Sequence, residues 1–163
     1  RVGELSARIA AAMGLPEEEV EMIRRTAPLH DVGKVGIPDE VLLKPGKLTP
    51  EEWEVMKQHT TIGARLLSAG RSEMVRLAES IARSHHERWD GGGYPHCLSG
   101  ENIPLAARIV ALADVYDALS SDRPYRPAWP HDEVVAHIAL GRGTHFDPRV
   151  VDAFINRVVA WDA

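Results

Sequence analysis

Apolar residues recur at helical spacing along most of the chain, and nowhere does the two-residue alternation of a half-buried strand persist. Val2, Leu5 and Ile9 mark an amphipathic helix over 2–13 that Gly14 ends. Pro16 followed by Glu17, Glu18 and Glu19 predicts a second helix start, because proline suits the first turn and carboxylates suit the positive end of the helix dipole. Its apolar face runs through Val20, Ile23, Ala27 and Leu29 to His30. Residues 33–46 hold Pro38, Pro45 and three glycines, and read mainly as loop. Thr49-Pro50-Glu51-Glu52 is a capping box, opening a helix with Val55, Met56, His59, Ile62 and Leu66 on one side. Ser72 is predicted to cap the next, where Val75, Ala78, Ile81, Ala82 and His85 share a face. Three successive glycines, Gly91 to Gly93, must break it. Further helices follow over 105–120, 132–140 and 148–159. The pattern predicts one all-α domain of about six or seven helices.

Composition narrows the function. Of 163 residues, 44% are hydrophobic and 26% charged, as in ordinary globular domains. A net charge of −5 argues against a general nucleic-acid or anionic-membrane binder, so no DNA is expected as partner. Cys97 is the only cysteine and can form neither an internal disulfide nor a thiolate zinc site, which fits a reducing, cytoplasmic setting. No apolar run approaches the ~20 residues of a membrane span. The chain opens without Met, in a helical rhythm, and reads as a piece of a longer protein.

The candidate chemistry lies on the inward faces. His30-Asp31 ends one predicted helix, His59 sits on the apolar side of another, His85-His86 ends a third, and Asp114 lies between Leu112 and Val115 on a fourth. Singly, each has an ordinary explanation: a satisfied core histidine, or a carboxylate bonded to a neighbouring helix. Jointly they do not, because buried ionisable groups cost several kcal/mol unless paired or bound to metal, and four unrelated segments would each need a separate partner. A shared buried cation explains them together. The donors are nitrogen and oxygen only, which suits iron, manganese or zinc. Asp31, beside a ligand histidine, can bridge two ions, and paired ions suit in-line phosphoryl displacement. Lys34 follows three residues later, close enough to offer a positive charge to a phosphate. His96, His131, His137 and His145 read as surface or structural residues, and Trp53, Trp89, Trp129 and Trp161 as packing.

Two runs, His30-Asp31-Val32-Gly33-Lys34-Val35-Gly36-Ile37-Pro38 and His85-His86-Glu87-Arg88-Trp89-Asp90-Gly91-Gly92-Gly93-Tyr94-Pro95, resemble the HD-GYP branch of the HD-domain metal-dependent phosphohydrolases. The likeness continues through 44–49, 103–109, 114–119, Arg123-Pro124-Tyr125-Arg126 and Phe146-Asp147-Pro148, nearly the whole chain. The resemblance implies a single helical HD-GYP domain over 1–163, lacking the family's first helix, around two or three divalent ions, iron or manganese. It implies a cytoplasmic bacterial signalling enzyme that hydrolyses cyclic di-GMP to pGpG, in some members onward to GMP. The ligands it implies are His30, Asp31, His59, His85, His86 and Asp114, with Asp31 bridging. Lys34 is implied at the solvent or phosphate, and Arg123 and Arg126 at the substrate's phosphates. Tyr94 and Tyr125 are candidates to stack on guanine. The Gly93-Tyr94-Pro95 loop is implied in substrate access and signalling-protein contacts, and a receiver or sensor domain before Arg1. Two departures stand out: a histidine and glutamate that serve a third metal fall before Arg1, and Cys97 stands where glycine is commoner. The first leaves a rival expectation, a catalytically weak or inactive module that binds cyclic di-GMP or a partner protein. A phosphohydrolase for another nucleotide is a third.

Overall fold

The computed structural model describes residues 1–160. Nine α-helices are present among them: α1 (Val2–Ala12), α2 (Glu17–Thr26), α3 (Asp39–Leu42), α4 (Pro50–Lys57), α5 (His59–Leu67), α6 (Glu73–Ser84), α7 (Leu105–Leu119), α8 (His131–Leu140) and α9 (Pro148–Ala153). The chain continues from α9 as a π-helical stretch, Phe154–Val159. The described residues contain no β-strand, only two isolated bridges. No helix among them is long and apolar enough to cross a membrane. Trp161 lies outside the described residues.

The count exceeds the six or seven expected for two local reasons. Residues 33–46, expected as loop, include a 3₁₀ turn, Val32–Gly36, and the four-residue α3. The helix predicted from Thr49 breaks at Gln58 into α4 and α5. Side chains cause that break: His59 Nδ1, Thr60 Oγ1 and Thr61 Oγ1 donate to the carbonyls of Met56, Lys57 and Gln58, competing with the backbone for its own acceptors. The caps stand as expected. Thr49 and Glu52 complete their capping box, and Ser72 Oγ accepts from Val75 N at 3.2 Å.

Helix α7 is the axis of the core. Ala106, Ala107 and the run from Ile109 to Ala113 are buried, and α7 packs against α1, α6, α8 and α9. Ile9, Ile23, Ile81, Ile138, Phe146 and Phe154 close round it. Within this apolar surround, Arg108 and Asp147 form an ion pair at 2.6 Å. Arg108 Nε also donates to Ile103 O, and Asp147 caps α9 by accepting from Arg149 N.

On the other side of the bundle, α5 packs directly on the Val32–Gly36 turn. Only glycine fits there: a Cβ at Gly33 would lie 1.8 Å from the His59 carbonyl oxygen and 2.4 Å from Gly63 N. That backbone contact places His59 beside Asp31.

Candidate metal centre

Four chain segments deliver the cluster. His30 and Asp31 leave α2 through its 3₁₀ extension, His59 starts α5, His85 and His86 follow α6, and Asp114 comes from α7. Two groups form, each with ligand atoms within 4.8 Å of one another: Asp31, His59, His85 and His86, and His30, His85 and Asp114. His85 belongs to both. Asp31 faces both as well, since Oδ1 lies 3.3 Å from His59 Nε2 and 3.5 Å from His85 Nε2, while Oδ2 lies 3.3 Å from His30 Nε2. His30 Nε2 stands 3.3 Å from Asp114 Oδ1. All six residues expected to hold metal therefore meet in one place.

Three of the imidazoles are held in a single orientation. His30 Nδ1 donates to Ala27 O at 2.7 Å, His59 Nδ1 to Met56 O at 2.7 Å, and His85 Nδ1 to Ile81 O and Ala82 O at 3.0 and 3.1 Å. Each bond fixes which nitrogen carries hydrogen and turns the other, Nε2, into the cluster. There His30 Nε2, His59 Nε2, His85 Nε2 and Asp31 Oδ1 are buried without a hydrogen-bond partner. Native interiors rarely leave such atoms unsatisfied. Four facing one another form a donor set that fits a divalent cation.

The electrostatics point the same way. Burial opposes ionisation of Asp31, but His30, His59 and His85 outweigh it and hold the carboxyl well below its usual range. Asp114 is likewise lowered, burial being overcome chiefly by His30. Burial also opposes a charge on His30, yet Asp114 and Asp31 raise its pKa to about 10. Burial, with His85 and His59, keeps His86 neutral down to about 3. The two carboxylates thus demand positive charge in a place where burial penalises it.

The other expected residues divide. Lys34 Nζ lies 2.9 Å from Asp31 Oδ2, half-exposed at the rim. Tyr94 is at the cluster, its ring parallel to His86 at 4.9 Å. Arg123 and Arg126 exchange backbone hydrogen bonds with each other, but no hydrogen bond or ion pair among the described residues joins either to the cluster. Arg126 donates to Ala118 O at the end of α7, with Nη1 buried and unpartnered, and Arg123 is exposed. Tyr125, a candidate for stacking, is 82% exposed.

Sequence reasoning missed Glu87 and Trp53. Glu87 is buried and accepts from His96 N at 2.7 Å and Leu98 N at 3.0 Å, clamping the 90–98 loop to the end of α6. No periodic or spacing signal marks a contact of that kind. Trp53, expected to pack, is 45% exposed and makes a T-shaped contact with Tyr94. Cys97 has φ +53°, in the left-handed region that glycine favours.

Comparison with known proteins follows the same lines. The HD domain family model matches residues 1–150. The "Cyclic di-GMP phosphodiesterase response regulator RpfG" of Xanthomonas campestris pv. campestris is 54% identical over 155 residues, covering 95% of this chain and 41% of that protein. A "Cyclic di-GMP phosphodiesterase" of Vibrio cholerae is 58% identical over 141 residues, covering 83% of this chain and 29% of its own. The chain therefore spans less than half the length of these curated relatives. A solved HDG"Y"P protein of Bdellovibrio bacteriovorus superposes with a TM-score of 0.75 at 20% identity, over 97% of this chain and 50% of that one, and shares the fold.

Proposed function

This chain belongs to the HD-domain family, in its HD-GYP branch, and on that premise we propose that it hydrolyses cyclic di-GMP to pGpG. His30, Asp31, His59, His85, His86 and Asp114 would hold two divalent ions, iron or manganese. One observation carries the reading: four buried atoms from three separate segments, His30 Nε2, His59 Nε2, His85 Nε2 and Asp31 Oδ1, face one another with no partner.

Bound divalent ions would supply charge neutralisation at the phosphoryl group and acidify water. The protein's part is to prepare for them. The backbone carbonyls of Ala27, Met56, Ile81 and Ala82 lock three imidazoles with Nε2 inward. Asp31 presents one oxygen to each group, the arrangement of a bridging carboxylate. The substrate is a dianion and the chain carries −5, so its binding needs local cations. Lys34 stands at the rim, and Arg123 and Arg126 follow the helix that carries Asp114; charge-assisted hydrogen bonds from such groups suit phosphate oxygens. Tyr94 is the candidate aromatic contact. A third ion is not needed by this reading. The wider setting proposed is cytoplasmic signalling, with a receiver or sensor domain before Arg1 and signalling-protein contacts through Gly93-Tyr94-Pro95; the greater length of the relatives supports it.

The test is turnover of cyclic di-GMP by manganese- or iron-loaded protein, followed by chromatography. pGpG is expected as product. Asp31→Ala should lower the rate by more than about 100-fold, since losing even an outer-shell partner costs ~10–100-fold. Full activity in that variant refutes the assignment. Tight binding of cyclic di-GMP without product over hours would favour a binding module instead, and a panel of other cyclic nucleotides reads out selectivity.

A further inference from the structure

The four histidines of the cluster are not held alike. His30, His59 and His85 each donate Nδ1 to a backbone carbonyl. His86 has no such bond among the described residues. A ligand imidazole without such an anchor is free to turn about its Cβ–Cγ bond and exchange the nitrogen it presents unless packing holds it.

The geometry points to Tyr94 as a positioning residue for His86: its ring, stacked on the imidazole, does for this ligand what a carbonyl does for the other three. The planes are 18° apart with centroids at 4.9 Å. His85 at 4.1 Å and His59 at 5.1 Å flank the same imidazole at steeper angles of 46° and 84°, so Tyr94 supplies the parallel wall. The inference rests on the metal-centre reading and assigns Tyr94 a task other than guanine stacking, for which a free aromatic face is needed.

Tyr94 is itself fixed from three directions. Its N–H donates to the His86 carbonyl at 3.2 Å. At Gly93 a Cβ would fall 2.4 Å from that same oxygen, so the loop lies flat on the His86 main chain. Trp53 makes a T-shaped contact with the ring at 6.0 Å and Lys57 Nζ stands 5.7 Å from its centroid, both from α4. Glu87, holding His96 N and Leu98 N, secures the far side of the loop. The namesake tyrosine is thus a rigid backing for one ligand, and α4 reaches the cluster through it.

The experiment measures manganese alone, by equilibrium dialysis and elemental analysis, on chelator-stripped protein and without substrate. Tyr94→Phe keeps the stacked ring and should hold affinity near wild type. Tyr94→Leu should weaken it by about 10-fold or more, the range of outer-shell losses. In a His86→Ala background, Tyr94→Leu should cost nothing further, because the two residues act as one unit. Wild-type affinity in Tyr94→Leu overturns the proposal, as does an equal loss with and without His86. A raised KM for cyclic di-GMP at unchanged manganese affinity also overturns it, in favour of substrate contact. Trp53→Ala, at a half-exposed position outside the core, keeps the test alive if Tyr94→Leu does not fold: several-fold weaker binding supports the proposal and unchanged binding counts against it. Wild-type protein that takes up neither manganese nor, under anaerobic conditions, ferrous iron defeats the metal-centre reading itself, before any variant is made.

Discussion

Buried polar groups occur at two levels of α7, and the two levels treat them in opposite ways. Near its start, Arg108 meets Asp147 at 2.6 Å, and each spends further bonds on the backbone, at Ile103 and Arg149. Two turns later, Asp114 enters a cluster whose inward nitrogens and Asp31 Oδ1 are left without hydrogen bonds. The first arrangement closes on itself and secures the fold. The second is open, and its unpaired atoms have value only toward a guest. Polarity in the interior is therefore no single signal; what separates structure from site is whether the partners are already present.

The contrast can be broken at either level. The largest effect is expected at the closed level: Arg108→Ala leaves the buried Asp147 carboxylate with only Arg149, its N–H and its guanidinium at 3.6 Å, and should lower stability by about 3 kcal/mol in urea unfolding. Metal bound per folded chain should not change. At the open level the guest should stabilise. Manganese at 100 times its Kd adds ~2.7 kcal/mol, a rise in Tm of roughly 5–10 °C for a domain of this size. Asp31→Ala should show no such rise, and chelator should reverse it in wild type. A rise of equal size in Asp31→Ala would mean the ions bind elsewhere.

Smaller effects sharpen the picture of the loop between the two levels. Cys97→Gly removes a left-handed strain worth about 1 kcal/mol and gives up a weak Sγ contact to Gly93 O. Its Tm should rise by a few degrees, with manganese affinity unchanged. A further effect concerns pH. Burial, then the charges of Arg88 and His137, hold His145 at about 4, below the ~6.5 of an unfolded histidine. The unfolded chain therefore binds this proton first as pH falls. Stability from His145 is complete above about 6.5 and is lost between there and about 4. His145→Asn should flatten the decline of Tm across that window, most clearly in chelator.

How far the sequence carried is explained by range. Helix positions and caps were legible because they depend on residues three or four apart: Thr49 with Glu52, Ser72 before Val75. The meeting of His30, Asp31, His59, His85, His86 and Asp114 was legible because ionisable residues on or just beyond an apolar face declare their own burial. The split at Gln58 was not, since it depends on three side chains competing for carbonyls that a periodic reading assigns to the helix. Glu87 and its two N–H partners, the Arg108–Asp147 pair 39 residues apart, and the Tyr94–Trp53 contact are tertiary, and no spacing rule generates them. That Arg126 donates to the carbonyl of Ala118 is equally invisible, because sequence does not show which carbonyls at the end of α7 take a side-chain donor.

One hydrogen atom sets the gauge of the cluster. Gly33 touches α5 main chain to main chain, with less than 2 Å between where a methyl would sit and the oxygen of His59. The gap between Asp31 and His59 is thus determined by a hard stop, not by a cushion of adaptable side chains. Repacking the neighbourhood cannot narrow it. Even an alanine at position 33 would act as a shim, prising two ligands apart while leaving both chemically intact.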